Sequence, residues 1–183
     1  EQVMEMIVEA MSKAGYKPGE QIGFGLDVGS SEIFDETTGK YKFALDNWEF
    51  TADELIAKYN EWSEKYPIIS IEDGLAEDDW QGWQKLTNQL GSKMLLIGDD
   101  LFVTQTKRLQ QGIDSKAANA ILIKLNQVGT VTETIDCIKT AQANGYKIMI
   151  SHRSGETTDD FIADLAVATG AEYIKTGSAA RGE

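Results

Sequence analysis

Six short apolar runs along this chain each end in a polar or charged residue. They close at GLDVGSSE (25–32), IISIED (68–73), LLIGDD (95–100), ILIKLNQ (121–127), IMISHRSGET (148–157) and YIKTGS (173–178). The apolar stretches are continuous rather than alternating, the pattern of parallel strands buried on both faces. A charge is costly inside such a run and therefore belongs at its end. Strands are predicted at 22–28, 68–72, 94–98, 120–124, 146–150 and 172–175. Between them the apolar period becomes helical. A stripe of Val3, Ile7, Ala10 and Ala14 predicts a helix over 1–14, with Gly15 at C′. Thr51 and Glu54 form a capping-box pair ahead of a helix whose face is Leu55, Tyr59, Trp62 and Tyr66, and Pro67 ends it. Further helices are predicted near 77–90 (Trp80, Trp83, Leu86, Leu90), near 104–112, from about 130 behind the cap pair Thr130 and Glu133 (Val131, Ile135, Ile138), and around Phe161, Ile162 and Leu165. Residues 29–50 form a longer excursion with a hairpin near Thr37–Lys40.

Glu72, Asp99, Lys124, His152 and Lys175 mark successive strand ends, spaced 27, 25, 28 and 23 residues apart. A βα period of that size without a linker predicts one continuous α/β fold. A doubly wound open sheet is the competing architecture, but no GxGxxG follows the first strand. The barrel is favoured, with its chemistry at the C-terminal face of the strands. Such barrels take about 250 residues. The expectation is therefore that residues 1–183 are one part of a longer barrel domain.

Net charge changes the list of partners. At −13, with a pI near 4.5, the chain is a poor match for nucleic acid or an anionic membrane. Most of the acids read as solvated helix faces, yet an acidic protein still binds an anion where local cations reverse the field. No apolar stretch approaches the roughly 18 residues of a membrane span, and the acidic, amphipathic start is unlike a signal peptide. A single cysteine, Cys137, has no intramolecular partner, which points to a reducing, cytoplasmic setting.

Asp27, Glu72 and Asp99 are three carboxylates at successive run ends. Two such charges about 4 Å apart repel by roughly 4 kcal/mol at an effective dielectric of 20, and a divalent cation removes that cost. An all-oxygen set completed by substrate and water suits Mg²⁺. A lone acid would more simply cap a helix or pair with a lysine; three in register favour the metal. Lys124 interrupts ILIKLN and either snorkels outward or is held inside for a purpose. A buried lysine beside a divalent cation is held toward the neutral amine, which can serve as a base near neutral pH. His152, the only histidine, precedes Arg153 and Ser154, a guanidinium and a hydroxyl suited to clamping a phosphate. Lys175 adds a cation for an anionic substrate.

The blocks SSE, SIEDGLAEDDW, GDDLFVT, ILIKLNQ, SHRSGET and IKTGS, in this order, resemble the signature blocks of the enolase family over nearly the whole chain. Gly74 after SIED resembles the bacterial type. The resemblance implies a (β/α)8 TIM-type barrel of which about six βα units are present. The N-terminal domain, the first barrel strands and the C-terminal helix would lie outside these residues. It implies a lyase that dehydrates 2-phosphoglycerate to phosphoenolpyruvate, with Mg²⁺ stabilising an ene-diolate formed by a lysine base. Carried onto this sequence, Asp27, Glu72 and Asp99 bind the metal and Lys124 removes the C2 proton. Arg153 and Ser154 hold the phosphate, Lys175 holds the carboxylate, and His152 and Glu72 lie at the substrate. Nothing is carried onto Ala179–Glu183. A homo-oligomer is implied for the whole enzyme, as is a cytoplasmic location with a cell-surface or secreted pool. Two other readings stand beside this one. A binding role, at a cell surface (plasminogen) or in an RNA-degrading assembly, would show a lysine-rich patch, and no such run occurs. Another alpha-proton-abstracting enzyme would lack the Arg153–Ser154 clamp. The expected outcome for the isolated 183 residues is no turnover of 2-phosphoglycerate, monitored by ultraviolet absorbance of the enol product; measurable turnover would overturn the expectation that the general acid lies elsewhere.

Overall fold

The structure is a computed structural model and describes residues 1–177. Ser178, the end of the sixth run, and the segment Ala179–Glu183 lie outside the described residues. The chain forms two compact units, Glu1–Leu96 and Ile97 onward.

The first unit opens with α1 (Gln2–Lys13). It ends in a Schellman turn: Gly15 adopts φ +86°, its N–H donates to Ser12 O, and the Tyr16 N–H donates to Met11 O. The buried face of α1 is Met4 and Met11, whereas Val3 and Ile7 are exposed. The stripe predicted from Val3, Ile7, Ala10 and Ala14 is thus the outer face. Unbranched methionines fill the irregular contact instead. Strand β1 (Phe24–Asp27) leads through a 3-10 turn at Ser30–Ile33 into a small antiparallel sheet of β2 (Phe34–Asp35), β3 (Lys40–Phe43) and β4 (Trp48–Phe50). The predicted hairpin is the β2–β3 turn. Helix α2 (Ala52–Lys65) carries the complete Thr51–Glu54 capping box and buries Leu55, Tyr59 and Trp62. Strand β5 (Ile68–Glu72) pairs in parallel with β1, and α3 (Trp80–Leu90) comes next.

Helix α3 starts three residues later than the sequence predicts, because Asp79 caps it by accepting from the Gly82 N–H at 2.9 Å. The loop between Glu72 and Asp79 is pinned by three buried aromatic residues. Tyr59 donates to Gly74 O at 2.8 Å, Trp83 Nε1 donates to Ala76 O at 3.2 Å, and the Tyr41 hydroxyl accepts from the Ala76 N–H at 3.0 Å. Burial holds the Tyr41 and Tyr59 phenols well above the usual range, so both remain neutral donors.

Strand β6 (Leu95–Gly98) crosses from one unit to the next. In the second unit the strands are parallel in the order β6, β7 (Ala120–Ile123), β8 (Lys147–Ser151) and β9 (Tyr173–Lys175). Every residue of β7 is buried, as a strand covered on both faces requires. The connecting helices are α4 (Thr106–Ser115), a one-turn α5 (Leu125–Val128), α6 (Val131–Ala143) and α7 (Phe161–Thr169). The turn α5 is too short to leave a helical period in the sequence. Helix α6 buries Thr134, Cys137, Ile138 and Ala141, while Val131, predicted to face inward, is exposed. Its apolar face is therefore rotated from the predicted one, because the small Ala141 and the thiol of Cys137 lie toward the strands.

Phe102, between β6 and α4, is fully buried and meets Tyr146 edge-on at 6.0 Å between ring centres. A Cβ on Gly98 would lie 2.6 Å from the Phe102 ring, and one on Gly112 would be closer still. Alanine normally improves a helix interior over glycine by about 1 kcal/mol. Here the sign reverses: Gly112→Ala is expected to lower stability by about 1–2 kcal/mol through overpacking against Phe102, measured by urea denaturation. A stabilised variant would show that the ring moves aside freely.

Candidate active site

The candidate residues stand at and just beyond the carboxyl ends of the parallel strands within each unit. In the first unit, Asp27 closes β1 and Glu72 closes β5, and the two are register partners on parallel neighbours. Paired strands lie about 4.8 Å apart, so the two positions are adjacent. Asp27 is exposed and Glu72 is buried. The Val28 N–H donates to Glu72 O and the Ser30 N–H to Asp73 O, tying the chain after Asp27 to the end of β5. Asp73 is buried with φ +44°, a left-handed conformation uncommon for any residue but glycine. The aromatic pins on Gly74 and Ala76 hold it there.

In the second unit, Asp99 directly follows β6 and Lys124 directly follows β7. Their side chains form an ion pair, Lys124 Nζ to Asp99 Oδ2, with 15% and 9% of each exposed. That degree of burial excludes the snorkelling alternative for Lys124. Gln127 Nε2 donates to Asp99 Oδ1 at 3.3 Å. Thr104 Oγ1 donates to Gln127 Oε1 at 2.7 Å and accepts from the Lys124 backbone N–H at 2.9 Å. Val103 and Thr104 both sit in the left-handed region, at φ +44° and +55°. For β-branched residues this is a strained conformation.

His152 follows β8 and is half-buried, and its backbone N–H donates to Lys175 O at 3.0 Å. Lys175 closes β9 as the register partner of Ser151. Arg153 and Ser154 lie exposed on the loop beyond. Arg153 Nη1 donates to Asn126 Oδ1 at 2.9 Å, which draws the guanidinium to the turn after Lys124. Beside it is a cavity of about 460 Å³, lined in part by Asn126, Ser151, Arg153, Glu156, Phe161 and Ile162. Its size lies within the range of small-molecule sites.

The structure thus brings together Asp27 with Glu72, Asp99 with Lys124, and His152 with Lys175, each pair inside one unit. Sequence reasoning missed Asp73, Thr104, Asn126 and Gln127. For the last two the signal was available, since both are polar residues within three positions of a strand-end lysine. For Thr104 there was none, because its left-handed backbone has no sequence signature in a β-branched residue.

Carboxylate oxygens are the donors that a hard divalent cation takes, and Asp27 and Glu72 in the first unit and Asp99 in the second each carry them. In the second unit, one Asp99 oxygen accepts from Lys124 and the other from Gln127.

Parallel strands with covering helices, and polar groups gathered at the carboxyl ends of the strands, define an α/β protein of the barrel type. Residues 1–183 match the family described as Enolase, C-terminal TIM barrel domain. The chain belongs to that family, whose kind of enzyme is the enolase-superfamily lyase.

Removing one partner of a buried ion pair leaves an uncompensated charge. Asp99→Leu is expected to cost about 3 kcal/mol, and the double variant Asp99→Leu/Lys124→Met to recover more than half of that, read by urea denaturation. Equal losses in the single and double variants would show that the pair does not couple.

Proposed function

We propose that this chain is the barrel portion of a bacterial-type, magnesium-dependent phosphopyruvate hydratase, which converts 2-phosphoglycerate to phosphoenolpyruvate. The observation that carries this reading is the buried Lys124–Asp99 pair at adjacent strand ends, in a chain matched along its length by the enolase barrel family. A strongly acidic protein whose site residues include His152, Arg153 and Lys175 is also consistent with a small, highly anionic substrate.

In this reading Lys124 Nζ takes the proton from C2. Arg153 offers parallel N–H donors to the phosphate, and the Ser154 hydroxyl adds another. Lys175 pairs with the carboxylate, and His152 borders the substrate. Glu72 serves both metal and substrate. Asp27, Glu72 and Asp99 would hold Mg²⁺, which would supply positive charge for the carboxylate as C2 loses its proton. The C3–O bond then breaks and hydroxide leaves as water, its proton coming from a general acid outside these 183 residues. The complete enzyme is proposed to be a cytoplasmic homo-oligomer, with a surface or secreted pool as in related enolases. Among the described residues no helix is long and apolar enough to cross a membrane.

In the complete enzyme, Lys124→Ala is expected to lower turnover of 2-phosphoglycerate by at least about a thousandfold, the scale of general-base catalysis. Chelation by EDTA is expected to abolish turnover of the parent and added Mg²⁺ to restore it. Normal turnover by Lys124→Ala would remove the lysine from the mechanism.

A further inference from the structure

Lys124, Asp99, Gln127 and Thr104 form a closed circuit of hydrogen bonds. From the Lys124 ammonium it passes to Asp99 Oδ2, from Asp99 Oδ1 to Gln127 Nε2, from Gln127 Oε1 to Thr104 Oγ1, and from Thr104 Oγ1 back to the Lys124 backbone N–H. Each link has a defined direction. Ionised carboxylate accepts only, so the amide nitrogen of Gln127 must face Asp99 and its oxygen must face Thr104. A hydroxyl has one proton, and Thr104 gives it to Gln127, leaving a lone pair for the Lys124 N–H. One hydroxyl therefore sets the amide that orients Asp99, and also fixes the backbone from which Lys124 extends.

Thr104 is held rigidly enough for that task. It is fully buried, and it comes after a turn in which the Phe102 and Val103 N–H groups both donate to Asp99 O. Arg108 Nε donates to Leu101 O at 2.6 Å on the same turn, and the Phe102 ring is wedged against Gly98 and Gly112. Two consecutive β-branched residues in the left-handed region are strained, and persist only where the surroundings impose them. The strain holds the Thr104 hydroxyl at the junction of the circuit.

We propose that Thr104, acting through Gln127, is a positioning residue that fixes Asp99 and Lys124 relative to each other; this rests on the reading of Lys124 as the base. Neither residue touches substrate in this scheme. Their contribution is geometric, and a misplacement of about 1 Å at a reacting group can cost about a hundredfold in rate.

The test compares Thr104→Val, Thr104→Ser and Gln127→Leu in the complete enzyme, with 2-phosphoglycerate and saturating Mg²⁺. Valine keeps the volume and the branched Cβ and removes only the hydroxyl; serine keeps the hydroxyl. Thr104→Val is expected to lower kcat about tenfold to a hundredfold with KM changed less than about threefold, and Thr104→Ser to stay within about threefold of the parent. Gln127→Leu breaks the same circuit at a half-buried position that tolerates leucine, and is expected to match Thr104→Val. It decides the matter if Thr104→Val does not fold, as judged by circular dichroism. Two outcomes overturn the proposal: a folded Thr104→Val or Gln127→Leu with kcat within about twofold of the parent, or a Thr104→Ser as impaired as Thr104→Val. Lys124→Ala separates the two levels. If it keeps full turnover, the function reading fails; if it is inactive while the circuit variants are normal, only the positioning role fails.

Discussion

A parallel strand covered on both faces cannot carry a charge along its length, and this constraint organises the molecule. Strand β7, Ala120–Ile123, is wholly buried, and the first residue able to bear a charge is Lys124. The same holds for Glu72 and Asp99, both of which stay buried at or just past a strand end. Desolvation restricts where the ionisable groups can go. Strand pairing then sets them side by side, as with Asp27 and Glu72, because neighbouring strands end together. The polar cluster is therefore a consequence of the apolar core.

Buried charge so placed needs partners, and the loops supply them. After β5, aromatic groups from α2, α3 and β3 hold the backbone that carries Asp73. After β6, the Phe102 ring and the Arg108 side chain hold the turn that leads to Thr104. In both places the apolar core reaches up to support a non-glycine residue at positive φ. Rigid packing beneath and fixed donors above give the arrangement needed for groups that must not reorganise during a reaction.

The strands and their endings were legible in the sequence because a continuous apolar run needs no partner to be read. The cap pairs Thr51–Glu54 and Thr130–Glu133 were equally plain, being local chemistry. Faces of helices were harder. Val3 and Ile7 obey helical spacing as well as Met4 and Met11 do, and only packing decides which pair is buried. Helix α3 begins at Trp80 because Asp79 turns its carboxylate onto Gly82, a choice that Glu77 or Asp78 could have made. At the site, the ionisable residues were visible one by one, but the circuit through Thr104 was not, since hydrogen-bond direction and a left-handed backbone leave no trace in residue order.

The paired left-handed residues Val103 and Thr104 set stability against rigidity. Glycine occupies that region of backbone space at least cost. Glycine at position 103 would relieve the strain, but it would also widen the range of conformations open to the turn that presents Thr104. The local stability of this loop and the fixed aim of its hydroxyl therefore cannot both be maximal.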